Sequence, residues 1–311
     1  MANIKELAKI PERLSGGHRL CAGCGASIIV RQVLMGTKDY VVAGSATGCL
    51  EVATTIYPFT AWKIPFIHNA FENSAATMSG VETAYRALKK KGKITKEIKF
   101  VAFGGDGGTY DIGLQSLSGA LERGHKFVYV CYNNEAYMNT GIQRSGATPK
   151  GASTTTAPHG KESYGKHQFK KDLTSIVAAH KIPYVAQASA SNWNDLVTKA
   201  EKAFAADGPA FLNVIATCHR GWRFPQEKSI EISKLAVETG VWPLIEIENG
   251  VWRFTYKHKE RKPVIEWLKS QGRFSHLFTE ENKSVIDEIQ QGIDENWARL
   301  ENLCNSTCKV A

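Results

Sequence analysis

The 311-residue sequence predicts an α/β fold in which a mostly parallel sheet is flanked by helices. Three observations carry that prediction. Apolar strands alternate along the chain with helical stretches. The strands are continuous apolar runs ending in glycine or polar turns, not the alternating pattern of a half-solvated sheet. Apolar residues make up 43% of the chain, enough at this length for one large core or two closely packed ones.

The elements follow in chain order. YVVAGSATG (40–48) reads as a buried strand and turn, and NSAATMSGVETAYRALKKKG (73–92) as a helix whose small residues allow close packing and which ends at Gly92. IKFVAFGGDGG (98–108) is a strand running into a glycine turn, and DIGLQSLSGALERG (111–124) a helix stopped by Gly124. KFVYVCYNNEAY (126–137) is another apolar strand that breaks into a polar loop. DLTSIVAAHK and NWNDLVTKAEKAFAADG are helical, and PAFLNVIATC (209–218) is the last core strand. TGVWPLIEIENGVWRFTYKHKE then predicts an antiparallel hairpin turned at Asn249-Gly250, since Asn-Gly readily takes the positive φ such turns require. KPVIEWLKSQGRF and KSVIDEIQQGIDENWARLENLC complete the chain. The expected organisation is a main domain, 1–225, with a C-terminal extension, 226–311. Residues 146–168 are polar and turn-rich, and an irregular stretch of that length in a compact domain is expected to cover a site or contact a subunit.

Composition excludes several classes. The first residues carry charges throughout, and no stretch of 18 uncharged apolar residues follows, so the sequence predicts a cytoplasmic protein with no membrane segment. Seven cysteines are an odd count at low density, favouring metal or redox use over a disulfide framework. The net charge of +9 is concentrated in KKKGKITKEIK (89–99) and KHKERK (257–262). These runs are either solvated helix ends and loops or a docking face for acidic surfaces and anionic ligands. They lack interleaved aromatics and any recognisable binding module, which argues against nucleic acid.

Two stretches carry chemistry. In GGDGGTYD, flanking glycines let the backbone approach an anion, Asp106 offers a hard oxygen ligand, and a helix beginning near Asp111 points free N–H groups back at the same place. A plain strand-to-helix turn would carry the same residues. What sharpens the reading is Asn134, 28 residues on at the end of the next strand, which a parallel sheet brings beside Asp106. Asp106, the Asn134 amide oxygen, a backbone carbonyl from the Asn-Glu-Ala turn, two diphosphate oxygens and a water would complete the octahedron of Mg²⁺. In GHRLCAGCGAS, Cys21 and Cys24 stand three apart among glycines. Two thiolates on so tight a turn suit an iron–sulfur cluster or zinc, and either needs further ligands from elsewhere in the chain. Cys131, inside an apolar strand, reads as a core residue, and Cys304 and Cys308 could share a helix face.

GDG followed after 27 residues by a metal-binding Asn, together with HRLCAGCG, TGC and YNNEAYMNTGIQRS, resembles the thiamin diphosphate-binding beta subunit of the 2-oxoacid:ferredoxin oxidoreductases, the pyruvate synthase type in particular. The resemblance runs from about residue 15 to 225 and more weakly beyond. It implies that Cys21, Cys24, Cys49 and Cys218 hold a 4Fe–4S cluster and that Asp106, Asn134 and the Ala136 carbonyl hold Mg²⁺. It implies cofactor contacts for Thr47, Gly48, Gly105, Asp106, Gly107, Gly108, Asn134, Ala136, Tyr137 and Asn139, with Asn139 the catalytic candidate for a polar contact to substrate. His68 and Asn69 fit better as satisfied structural residues, and His18 and Arg19 either tune the cluster or face a partner. The implied reaction is reversible, coenzyme A-dependent oxidative decarboxylation of pyruvate with electrons passed to ferredoxin. Oxalate or another 2-oxoacid stays open as the substrate, because Cys218-His219-Arg220-Gly221-Trp222 departs from the proline-containing turn of many relatives. The resemblance also implies partners: an alpha-type subunit with the pyrimidine-binding domain and its activating glutamate, and a ferredoxin-like subunit.

Overall fold

The structure is a computed structural model that describes residues 3–308. The chain begins with α1 (Ile4–Leu7), α2 (Gly25–Leu34), β1 (Tyr40–Ala46), α3 (Cys49–Thr54), β2 (Phe66–Asn69), α4 (Ser74–Lys90) and β3 (Ile98–Gly105). A π-helical turn, Gly107–Asp111, precedes α5 (Leu114–Glu122) and β4 (Val128–Asn133). After a long irregular segment come α6 (Leu173–Ala178), β5 (Tyr184–Ser189), α7 (Trp193–Ala205), β6 (Ala210–Ile215), α8 (His219–Trp222) and α9 (Ser229–Glu238). The hairpin β7 (Leu244–Glu248) and β8 (Val251–Tyr256), α10 (Val264–Lys269), a 3-10 segment Gly272–Leu277 and α11 (Lys283–Cys308) follow.

One eight-stranded sheet runs in the order β2-β1-β3-β4-β6-β5-β7-β8. The first six strands are parallel, and the hairpin adds to β5 antiparallel. β6 is therefore an interior strand and not the last of the core. Alternate residues of the central strands pack on opposite faces, as the period of two requires. Val101, Phe103, Val128 and Val130 meet Ile29, Val33, Leu196 and Ala200 of α2 and α7. Phe100, Ala102, Tyr129 and Cys131 meet Met78, Leu117, Leu173 and Leu300 of α4, α5, α6 and α11. A third cluster beyond residue 215 centres on Trp222, Trp242, Trp267 and Phe274, each buried.

One element differs from expectation. In place of a helix from Asp111 there is a wide π-turn, Gly107–Asp111, whose Ile112 N–H donates to Gly107 O at 3.4 Å, and α5 begins only at Leu114. Such turns concentrate at functional sites. The polar segment after β4, expected to cover a site or contact a subunit, buries Ser145, Ala147, Thr148, Ala152 and Lys166. Lys166 is satisfied there by carbonyls, donating to Thr148 O at 2.5 Å and Ser145 O at 3.3 Å. The basic runs are partly neutralised, with Lys89 paired to Glu97 and Lys262 to Glu238; such exposed pairs add little stability. Among the described residues no helix is long and apolar enough to cross a membrane.

The hairpin turn has Asn249 at φ 50° and Gly250 at φ 83°, the left-handed pair an Asn-Gly turn supplies. A Cβ on Gly250 would touch nothing within 4 Å, so its cost is backbone strain alone. Gly250→Ala is expected to destabilise the protein by about 1–2 kcal/mol, read as a lower thermal unfolding midpoint, whereas an unchanged midpoint contradicts the turn geometry.

Candidate functional site

The chain runs from β1 outward to β2 and returns to the other side of β1 at β3, so the sheet's topological switch point lies between β1 and β3. Open α/β sheets leave a crevice at such a point, outside the carboxyl ends of their strands. Here that crevice is a cavity of about 240 Å³. It brings together Thr47 and Gly48 after β1, Gly105, Asp106, Gly107 and Gly108 after β3, and Asn134, Ala136, Tyr137 and Asn139 after β4. Gly107 is needed for its lack of side chain, since a Cβ there would stand 2.4 Å from the Tyr137 ring. The Tyr137 hydroxyl donates to Asp111 at 3.1 Å, and Asp111 also accepts from the Gly146 N–H and pairs with Lys171.

Asp106 is fully buried. One carboxylate oxygen accepts from Ser145 Oγ at 2.6 Å, and the other from the Asn134 backbone N–H at 3.1 Å. Burial pushes its pKa up to about 7 despite those bonds. The head of the Asn134 side chain lies 2.8 Å from both Asp106 Oδ1 and Ala136 O. With the amide nitrogen in that position it donates to both, whereas with the oxygen there three acceptors face one another, an arrangement that calls for a cation. Trp222 Nε1 donates to Asn134 O at 2.8 Å, and Thr148 Oγ1 to Glu135 O at 2.6 Å, so the turn is held from two distant segments.

A second cavity, about 230 Å³, adjoins the first and shares Cys49, Asn134 and Asn139 with it. Cys21, Cys24, Cys49 and Cys218 all line it. Gly23, at φ 74°, makes the tight turn between the first two, and a Cβ there would lie 2.3 Å from Gln226 O. The Gly25 N–H donates to Thr217 O, tying that turn to the residue before Cys218. Cys24 and Cys218 each cap the start of a helix and Cys49 opens another, so backbone N–H groups face the sulfurs: Gly221 N lies 3.5 Å from Cys218 Sγ. Burial first, then the neighbouring cysteines, pushes Cys49 up to about 12; burial, partly offset by backbone N–H groups, takes Cys24 to about 11. Without metal these thiols stay protonated at neutral pH. Among the described residues no three His, Cys, Asp or Glu side chains converge on a single-ion site.

The other candidates separate cleanly. Cys131 is buried in the core. Cys304 packs on the core from α11, and Cys308 approaches the Trp252 carbonyl. His68 pairs with Glu51 at 2.9 Å, and Asn69 is a buried residue whose carbonyl accepts from Thr47. Arg19 and His219 line the cysteine cavity; His18 and Arg220 do not. Sequence reasoning gave no role to Glu135 and Ser145, although both lie within YNNEAYMNTGIQRS, nor to Trp222 after Cys218, and Arg273 lies in no motif; all four hold the site.

A family model described as the thiamine pyrophosphate enzyme, C-terminal TPP binding domain, matches residues 46–214, the span that carries the first cavity. Pyruvate synthase subunit PorB of Thermotoga maritima is 58% identical over 308 residues, covering 96% of this chain and 95% of that protein. The subunit of the same name from Methanothermobacter thermautotrophicus is 58% identical over 287 residues, covering 92% and 98%. Ketoisovalerate oxidoreductase subunit VorB of Pyrococcus furiosus is 44% identical over 305 residues, covering 97% of each. A solved 2-oxoglutarate:ferredoxin oxidoreductase from Magnetococcus marinus shares the fold, with a TM-score of 0.55 and 19% identity over 71% of this chain and 79% of its own. The chain belongs to the beta subunits of the 2-oxoacid:ferredoxin oxidoreductases, within the pyruvate synthase PorB family.

Asp106 has a testable sign. Its usual pKa is 3.8 and its folded value about 7, so the unfolded chain ionises first and the folded state loses stability as pH rises between those values. In metal-free protein Asp106→Asn is expected to raise the unfolding midpoint at pH 8, by roughly 2–4 kcal/mol of stability, and to change little at pH 4. A lower midpoint at pH 8 contradicts the burial argument.

Proposed function

We propose that this chain binds thiamin diphosphate through Mg²⁺ and holds a 4Fe–4S cluster beside it, as the cofactor subunit of a pyruvate:ferredoxin oxidoreductase. The observation that carries the proposal is the shared wall. The oxygen-lined cavity after β3 and β4 and the cavity of four cysteines have Cys49, Asn134 and Asn139 in common.

The donor sets fit the two groups. Neighbouring ligands in octahedral Mg²⁺ coordination stand about 3.0 Å apart, close to the 2.8 Å separations around Asn134. Asp106 supplies the charge, and Asn134 and the Ala136 carbonyl supply neutral oxygens. Four cysteines lining one cavity, two of them isolated in sequence, suit the Cys₄ ligation of a cluster.

When bound, thiamin diphosphate supplies the electron sink for decarboxylation of a 2-oxoacid, and the cluster accepts electrons singly. The chain's residues do the rest. The glycine backbone of 105–108 lets the diphosphate approach closely, and the N–H groups of the π-turn face it. Thr47 and Gly48 wall the cavity toward the cysteines. Asn139 is exposed at the mouth shared by both cavities, which suits a hydrogen bond to the substrate. Residues 1–225 carry both sites, and 226–311 brace them. The pyrimidine-binding domain and the ferredoxin-like clusters come from partner subunits of a cytoplasmic complex, and ferredoxin and coenzyme A complete the reaction.

Pyruvate is the proposed substrate, since relatives named pyruvate synthase are 58% identical; the relative named for ketoisovalerate keeps other 2-oxoacids, and oxalate, as alternatives. Complex purified without oxygen is expected to be brown, with a broad absorbance at about 400 nm that dithionite bleaches. Colourless complex containing stoichiometric zinc overturns the cluster assignment. Asp106→Ala is expected to abolish retention of thiamin diphosphate while leaving that absorbance intact, and turnover with pyruvate, oxalate, 2-oxoglutarate and branched 2-oxoacids identifies the substrate.

A further inference from the structure

We infer that Arg273, which lies outside the span matched by the thiamin family model, positions the metal-binding turn through a buried ion pair with Glu135. The inference rests on the Mg²⁺ reading of Asp106, Asn134 and Ala136.

Glu135 lies between two of those ligands and is the sharp point of the turn, at φ 66° in the left-handed region. Nothing in its side chain favours that conformation, so the surroundings must hold it there. They do so from the C-terminal segment. Arg273 Nη2 bonds Glu135 Oε2 at 2.6 Å, with both side chains buried. Arg273 Nε donates to Gln271 Oε1 at 2.9 Å, and the guanidinium lies 4.0 Å from the centre of the Trp222 ring. Trp222 in turn donates to the Asn134 carbonyl at 2.8 Å. Arg273 thus holds the turn twice, by charge through Glu135 and by stacking through Trp222. Lysine would keep the charge and lose both the planar fork and the stack.

A second consequence concerns charge. The other Glu135 oxygen has no hydrogen bond, and Lys170 Nζ stands 3.9 Å from it. A carboxylate between two ligands of a cation would be drawn to that cation in place of a diphosphate oxygen. Arg273 keeps it turned away. Buried ion pairs add little net stability over apolar packing, so orientation is the better account of this one.

The test uses the assembled complex with Arg273→Met, Arg273→Lys and Glu135→Gln, titrated with Mn²⁺ in the presence of thiamin diphosphate and followed by electron paramagnetic resonance. Arg273→Met is expected to weaken Mn²⁺ binding about 10- to 100-fold and to change the spectrum of the bound ion. The pyruvate KM, measured once metal and cofactor saturate, should not rise. Arg273→Lys should fall between Arg273→Met and wild type. Glu135→Gln keeps a carbonyl for Arg273 but loses the charge of the pair, and should show a smaller weakening in the same direction. A merely structural role predicts a lower unfolding midpoint with unchanged Mn²⁺ affinity and spectrum, and that result overturns the inference. If Arg273→Met does not assemble, Arg273→Lys and Glu135→Gln decide, and wild-type affinity and spectrum in both overturn it. Wild-type complex that binds no Mn²⁺ with thiamin diphosphate would instead refute the site reading beneath it.

Discussion

A carboxylate with no access to water organises this protein's functional edge. Asp106 sits at the end of a central strand under full burial, where ionisation is expensive unless something positive comes close. Its two hydrogen bonds, from Ser145 and the Asn134 backbone, fix its orientation without neutralising it. Two further oxygens can be turned toward the same point. The chain thereby keeps in place an arrangement that is costly in isolation and that the proposed cation would make favourable.

That arrangement depends on pieces far apart in sequence. Parallel pairing of β3 with β4 puts Asp106 next to Asn134. The irregular segment after β4 returns Ser145 and Thr148 to the same spot, and Lys166 ties that segment down through carbonyls. Trp222 and Arg273 close it from the C-terminal side. The cysteine cavity is assembled by the same logic, from the N-terminal turn, the start of α3 and the end of β6. Because Cys49, Asn134 and Asn139 line both cavities, the two sites share a wall.

Much of this was legible in the sequence, for local reasons. Glycine after a buried strand, an acid among glycines and an amide one helix and one strand later are close-range signals, and parallel topology converts them into proximity. The Asn249-Gly250 hairpin was legible because its φ angles demand those residues. β5 was not: YVAQAS is short and rich in alanine, and its identity comes from pairing with β6 and β7. The π-turn at Gly107–Asp111 was hidden by its glycines, which signal a tight turn better than a helical one. Arg273 left no local trace, because it acts on Glu135 and Trp222 far along the chain, and Ser145, though inside YNNEAYMNTGIQRS, shows its role only in its long-range bond to Asp106. The burial of Lys166 was invisible too, since nothing in a polar run shows which of its side chains backbone carbonyls will surround.

The distance along the chain from Glu135 to Arg273 has a consequence for biosynthesis. On the ribosome, the strand bearing Asn134 emerges long before the guanidinium that will lock the turn beside it. Until Arg273 emerges, a nascent chain therefore lacks the ion pair that fastens the Glu135 turn, and on the proposed reading the pocket is completed only at that point.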